Sequence, residues 1–137
     1  MSARTQTADW RTLETFAFGD TPAKADELGA LVVAGRKTTT CWSVDDGQQT
    51  HVGKRMVVLD GQARPWAVIE TLELTRRRLD EVDWAFASGA GEGDRDLDEW
   101  RDGYRRYFAG RGLTGPDLQV WCERFRVEQV LDREGAR

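Results

Sequence analysis

The apolar residues change period at Gly35, and that change fixes the fold class more tightly than any other feature of the chain. Before it, Thr21 can cap a helix, Pro22 suits the first helical position, and Ala25, Leu28, Leu31 and Val32 share one helical face. Gly35 stands where a left-handed residue would close that helix. After it, Thr38 to Val44, Met56 to Leu59 and Trp66 to Leu74 are rich in β-branched and aromatic residues and read as strands. Asp45-Asp46-Gly47 and Asp60-Gly61 mark turns between them.

Helical spacing returns twice. Trp10, Leu13, Phe16 and Ala17 predict a first helix over Asp9 to Phe18, ending near Gly19. Leu97, Trp100, Tyr104, Tyr107 and Phe108 form an apolar stripe before Gly110 and Gly112, with Asp94 as the expected cap. Leu118 to Val130 reads as a last, long strand. Its Leu118, Val120 and Cys122 alternate, while Phe125 and Val127 fall out of phase, which predicts a bulge between the two sets. The sum is α+β: a small barrel of mixed or antiparallel strands with helices around it.

The chain has 137 residues, which suits one domain over 1–137, since domains run to roughly 100–200 residues. No apolar run approaches the ~20 residues of a membrane helix, and the polar Met1-Ser2-Ala3-Arg4-Thr5 start is unlike a secretory signal. The expectation is a cytoplasmic protein without membrane partners. Its two cysteines, Cys41 and Cys122, then read as free thiols. With one histidine and two cysteines, no metal site is expected. His51 reads as exposed. The formal charge of −4 argues against tight capture of a nucleic acid through its phosphates, which calls for a basic surplus. The charge is uneven: Asp80 to Asp102 holds nine acids against two bases, and Arg76-Arg77-Arg78 is a basic cluster. The plainer reading of both runs is a solvated face.

Chemistry concentrates in Gly35-Arg36-Lys37-Thr38-Thr39-Thr40, at the helix-to-strand junction. Lys37 and Thr40 can converge there, and a desolvated lysine can take the proton that keeps a hydroxyl a poor nucleophile. The plainer reading is that threonines favour strands and Lys37 ends a helix. Glu70 is the second candidate. Strand alternation puts it with Trp66, Val68 and Leu72 on a buried face, where a carboxylate needs a cation such as Lys37 or an arginine. Third, the loop Gly91-Glu92-Gly93-Asp94 offers two carboxylates to a cation or an amine, without the ligand density of a calcium loop. Among six tryptophans, Trp42 is the candidate for stacking on a base.

In order along the chain, Phe18-Gly19-Asp20, Gly35-Arg36-Lys37-Thr38-Thr39-Thr40, Val68-Ile69-Glu70-Thr71, Gly91-Glu92-Gly93-Asp94, Trp100-Arg101 and Glu123-Arg124-Phe125 resemble the ASCH domain family, in its bacterial stand-alone branch. The likeness runs from about residue 16 to 130. It implies a PUA-like fold with an RNA-facing or nucleoside-sized cleft. Members of the family bind RNA. Some bacterial ones cleave single-stranded RNA, and shorter ones deacylate the exocyclic amine of N4-acetylcytidine-type nucleosides with a lysine, a threonine and a strand glutamate. Carried onto this chain, the catalytic set is Lys37, Thr40 and Glu70. Arg36, Thr38, Trp42, Glu92, Asp94, Arg101 and Tyr104 would bind substrate. The chain departs from the branch at Ala90, where a glutamate is usual, and at Tyr104, where a histidine is common. A tyrosine can donate a hydrogen bond there but does not titrate near neutral pH.

Three activities follow from this resemblance. The first is a ribonuclease on single-stranded RNA, with Lys37 or Arg36 for the developing charge and Glu70 as base. The second is an amidohydrolase with Lys37 as base, Thr40 as nucleophile and backbone N–H groups of Thr38 and Thr39 as oxyanion donors. The third is a non-catalytic RNA- or nucleotide-binding module. None requires a cofactor, although a divalent cation near Glu92 and Asp94 is compatible with the first. The partner is single-stranded RNA or a modified nucleoside.

Overall fold

A computed structural model describes residues 9–115 and 117–132. Five strands form one sheet: β1 (Thr15–Phe16), β2 (Thr39–Ser43), β3 (Arg55–Leu59), β4 (Pro65–Arg78) and β5 (Gln119–Val130). Three helices accompany it: α1 (Pro22–Val33), α2 (Trp84–Ala87) and α3 (Leu97–Ala109). The strand order is β1-β3-β4-β5-β2, with β1 parallel to β3 and every other pair antiparallel. The class is α+β. The sheet, however, is open where a barrel was expected. Closing it would require β1 to pair with β2, and β1 supplies only two residues, both already registered with β3.

Both faces of the sheet are covered, which explains the phase change in β5. Residues directly opposite each other on paired strands share a face. Phe125, Ile69 and Val58 pack with Phe18, Leu28 and Val32 beneath α1. On the other face, Val120, Cys122 and Cys41 pack with Val82, Phe86, Trp100 and Phe108 beneath α2 and α3. A bulge does fall between the two sets, but its extra residue is Leu72 in β4: Thr71 opposes Phe125 and Glu73 opposes Arg124. The β2–β5 register runs unbroken past the same point.

Helix α1 follows its sequence signals. Thr21 accepts the Lys24 N–H at 3.1 Å, and Pro22 occupies the first turn. The helix expected over Asp9 to Phe18 is absent. A single 3-10 turn spans Trp10–Thr12, after which the Val57 N–H donates to the Glu14 carbonyl and Thr15–Phe16 join the sheet. Ladder bonds to β3 outweigh an intrinsic spacing too short to sustain a helix alone. The cap of α3 is Asp96, which accepts the Glu99 N–H at 2.8 Å, in place of Asp94. Among the described residues, no helix is long and apolar enough to cross a membrane.

Candidate functional site

The site begins at the end of α1. Gly35 adopts φ +79°, and the chain folds back so that the N–H groups of Arg36 and Lys37 both donate to the Leu31 carbonyl, at 2.9 and 3.1 Å. That closure turns Lys37 inward, where its side chain is 1% exposed. The next residues fasten β2 to the segment after α2. The Thr38 N–H donates to the Gly89 carbonyl at 2.7 Å, and Thr39 Oγ1 donates to the Phe86 carbonyl at 3.1 Å.

Gly91 completes the arrangement. Its φ is +70°, and a Cβ there would overlap the Arg36 carbonyl and approach the Lys37 nitrogen. Only glycine lets the two segments pass this closely. The passage brings the Ala90 carbonyl and the Glu92 carboxylate onto Lys37: Nζ donates to Glu92 Oε2 at 3.0 Å and to the Ala90 oxygen at 3.4 Å. The ammonium also lies 5.7 Å from the centre of the Phe18 ring. Lys37 thus has the anionic partner a buried cation needs, and that partner is Glu92.

Lys37 and Glu92 form part of the wall of a cleft of about 370 Å³ at the β2 edge, between α1 and α3. Thr40, Asp94 and Tyr104 line the same cleft. Burial and the neighbouring carboxylates of Glu92 and Glu99 hold the Asp94 carboxyl above its ordinary range. Burial pushes the Tyr104 phenol well above its usual value, so it stays protonated as a donor. Among the described residues, no group of three His, Cys, Asp or Glu side chains is placed to hold a metal ion.

Half of the expected residues lie elsewhere. Glu70 opposes Arg126 in the ladder and is bound by its guanidinium at 2.7 Å, while Thr40 opposes Glu123. Glu123 shares the face of Thr71 and Phe125; Arg126, one residue beyond Phe125, shares the other. Glu70 and Thr40 are therefore on opposite faces of the sheet, a consequence of the two-residue period. Trp42 donates its indole N–H to the Gly47 carbonyl at 2.8 Å and does not form the cleft wall. Arg101 donates to the carbonyls of Asp80 and Val82 at 2.8 and 2.7 Å, fastening the turn before α2. Arg36 is exposed and contributes only backbone, and Thr38 is committed to Gly89.

The cleft has contributors that sequence reasoning missed. Phe18 closes one side, and Trp100 and Tyr107 flank Tyr104 on the other. The i, i+4, i+7 spacing of those three aromatics signalled a shared face but not that part of it fronts a cavity. Glu123 belongs to the Glu123-Arg124-Phe125 motif, which by itself assigns it no role. It is 6% exposed, accepts a 2.7 Å hydrogen bond from Thr71 Oγ1, and is held above the ordinary glutamate range by burial.

Comparison with known proteins identifies the scaffold. The family model for the ASCH domain matches residues 14–129. The chain belongs to the ASCH domain family. This ASCH protein is similar to a structure from Enterococcus faecalis V583, with 31% identity, a TM-score of 0.79, and coverage of 93% of this chain and 83% of that one. An ASCH domain from Lactobacillus crispatus superposes with a TM-score of 0.78 at 22% identity, covering 92% of this chain and 86% of that one. A mutant form of an ASCH protein from Zymomonas mobilis shares the fold more distantly, with a TM-score of 0.58 and 13% identity over 87% of this chain and 70% of that one. No curated protein matches this ASCH chain.

Proposed function

We propose that the cleft hydrolyses the amide of a small acylated nucleoside of the N4-acetylcytidine type. The observation that carries this reading is the buried Lys37 side chain, 1% exposed and with its amine 3.0 Å from Glu92, in a cleft that Thr40 also lines. Transfer of one proton along that hydrogen bond leaves a neutral amine beside a neutral acid. The amine takes the Thr40 proton as Oγ attacks the acyl carbon, then returns a proton to the departing exocyclic amine. Water cleaves the resulting threonyl ester, releasing the carboxylic acid and restoring the hydroxyl. The Tyr104 phenol, kept protonated by burial, supplies a donor to the developing oxyanion. Thr38 does not, because its N–H is already bonded to Gly89.

Size and charge favour a nucleoside over a polyanion. The cleft volume sits near the small end of ligand pockets, roughly 300–1,000 Å³. Lys24 and Lys37 are matched by Glu27 and Glu92, whereas the cleft residues Asp20 and Asp94 make no ion pair among the described residues. Net negative walls repel a phosphodiester. The ribonuclease reading is also short of parts, since Glu70 and Arg36 lie outside the cleft. RNA binding is the second reading: Tyr107, 45% exposed at the cleft, offers a stacking surface for one splayed base of a single strand.

The test is incubation of the purified protein with N4-acetylcytidine and, separately, with labelled single-stranded RNA. Cytidine and acetate should form, and both Lys37→Ala and Glu92→Ala should abolish their formation, with the RNA left intact. RNA fragments without deacylation, or full turnover by the Lys37 variant, would overturn the assignment. RNA retention without cleavage or deacylation would support the binding module instead.

A further inference from the structure

Two buried groups take no part in that reaction. Cys41 on β2 and Cys122 on β5 are free thiols placed directly opposite each other. Their sulfurs lie 3.7 Å apart, with the Cys41 S–H donating. Directly opposed residues of antiparallel strands have Cα atoms about 4.5–5.5 Å apart, within the roughly 4.4–6.8 Å that a disulfide spans. The backbone is already in place, and only the side chains must turn to bring the sulfurs to about 2.0 Å. Cys122 is 1% exposed, but Cys41 forms part of the cleft wall, so a small reagent has a route to the pair. Burial raises the Cys41 thiol, and the S–H bond it donates lowers that of Cys122. The proton lost first is that of Cys122, and the Cys41 S–H points at the sulfur that can take its own proton.

We propose that Cys41 and Cys122 form a reversible disulfide, a covalent modification site that opens on the cleft and takes a peroxide as its oxidant. The Cys41 sulfur passes its proton to the Cys122 thiolate as it attacks one peroxide oxygen, the O–O bond breaks, and hydroxide leaves as water after taking a proton. Cys41 becomes a sulfenic acid. The Cys122 sulfur then attacks it, the S–S bond forms, the S–O bond breaks, and a second water departs. Two electrons pass from the sulfur pair to the peroxide. The bond ties the edge strand β2, whose Cys41 lines the cleft beside Tyr104, to β5 between residues 81 positions apart. Closing so long a loop restricts the unfolded chain and stabilises the native one.

The site does not depend on the amide chemistry proposed above, and its test reads no turnover. The full chain is treated with stoichiometric hydrogen peroxide while folded, then examined by intact mass, denatured thiol titration, peptide mapping and thermal melting. The mass should fall by two hydrogens and the thiol count from two to none. One linked peptide pair should contain Cys41 and Cys122. The melting temperature should rise by about 5–15 °C, reversibly with dithiothreitol. Cys122→Ser and Cys41→Ser should each abolish the rise. Two thiols still titrating, added oxygen without a bridge, or a bridge joining two chains would each overturn the proposal.

Discussion

Removing either partner of the Lys37–Glu92 pair should have unequal effects on stability, because the two ends differ in burial. The Lys37 side chain is 1% exposed and the Glu92 side chain 28%. Glu92→Ala leaves a buried ammonium with one long hydrogen bond, 3.4 Å to the Ala90 carbonyl. Breaking a fully buried pair from one side costs about 3–5 kcal/mol. Water entering from the cleft reduces that here, so about 2–3 kcal/mol is expected. Lys37→Met removes the charge that is hard to solvate, fills similar volume, and leaves a carboxylate that water already reaches. It should cost about 1 kcal/mol or less. With an m-value of about 2 kcal/mol/M, urea unfolding should show the Glu92→Ala midpoint lowered by about 1–1.5 M and the Lys37→Met midpoint nearly unchanged. The double variant should resemble Lys37→Met alone. Equal destabilisation by the two single variants, or Glu92→Ala within roughly 0.5 kcal/mol of the parent (the spread of neutral surface changes), would refute the buried-pair reasoning.

Glu70→Gln should leave deacylation unchanged and lose only about 0–1 kcal/mol, the worth of its solvent-reached bridge to Arg126; a loss of turnover would return Glu70 to the site. Gly91→Ala should destabilise by at least about 1–3 kcal/mol through its left-handed backbone and its overlap with Arg36, and should lower turnover by displacing Glu92; denaturation and initial-rate assays read both. Tyr104→Phe should lower kcat about 100-fold with little change in KM, as expected on removing one oxyanion donor. Glu123 has a folded-state pKa raised by burial, so its contribution is favourable below the unfolded glutamate value of about 4.5 and is lost as pH rises through the raised value. Glu123→Gln keeps an acceptor for Thr71 and should raise the melting temperature at neutral pH, with the advantage shrinking as pH falls towards about 4.5; an advantage that grows in acid would contradict this sign.

The elements that were legible carry local signals strong enough to stand without tertiary help. Thr21-Pro22 at one end and Gly35 at the other bound α1 nearly to the residue, and β-branched runs locate β2, β3 and β4. The Asp9–Phe18 segment misled because its spacing fits a helix while its backbone bonds go to β3, a partner about 40 positions away that no local pattern names. Cap assignment failed for a smaller reason. Asp94 and Asp96 are equally good caps in type, and the helix begins at Leu97. The discarded candidate, freed from capping, faces the cleft.

The choice of carboxylate shows where strand arithmetic stops being enough. Alternation placed Glu70 correctly relative to Val68 but not to Trp66, which a bulge opposite Val58–Leu59 turns onto Gly29 of α1, and it could not say which face of β4 meets the cleft. That depends on the register with β5 and on the bulge at Leu72. A glycine ahead of Glu92 permits φ +70° and contact with the Arg36 carbonyl, so the Gly-Glu pair acts as a close-approach device before it acts as chemistry. Lys37 is turned inward by a backbone closure on Leu31, and Glu92 is brought to it by a second closure on Arg36. Neither closure involves a strand. The Lys37–Glu92 contact is therefore set by two closures outside the sheet, while Glu70, bound to Arg126, belongs to the ladder between β4 and β5.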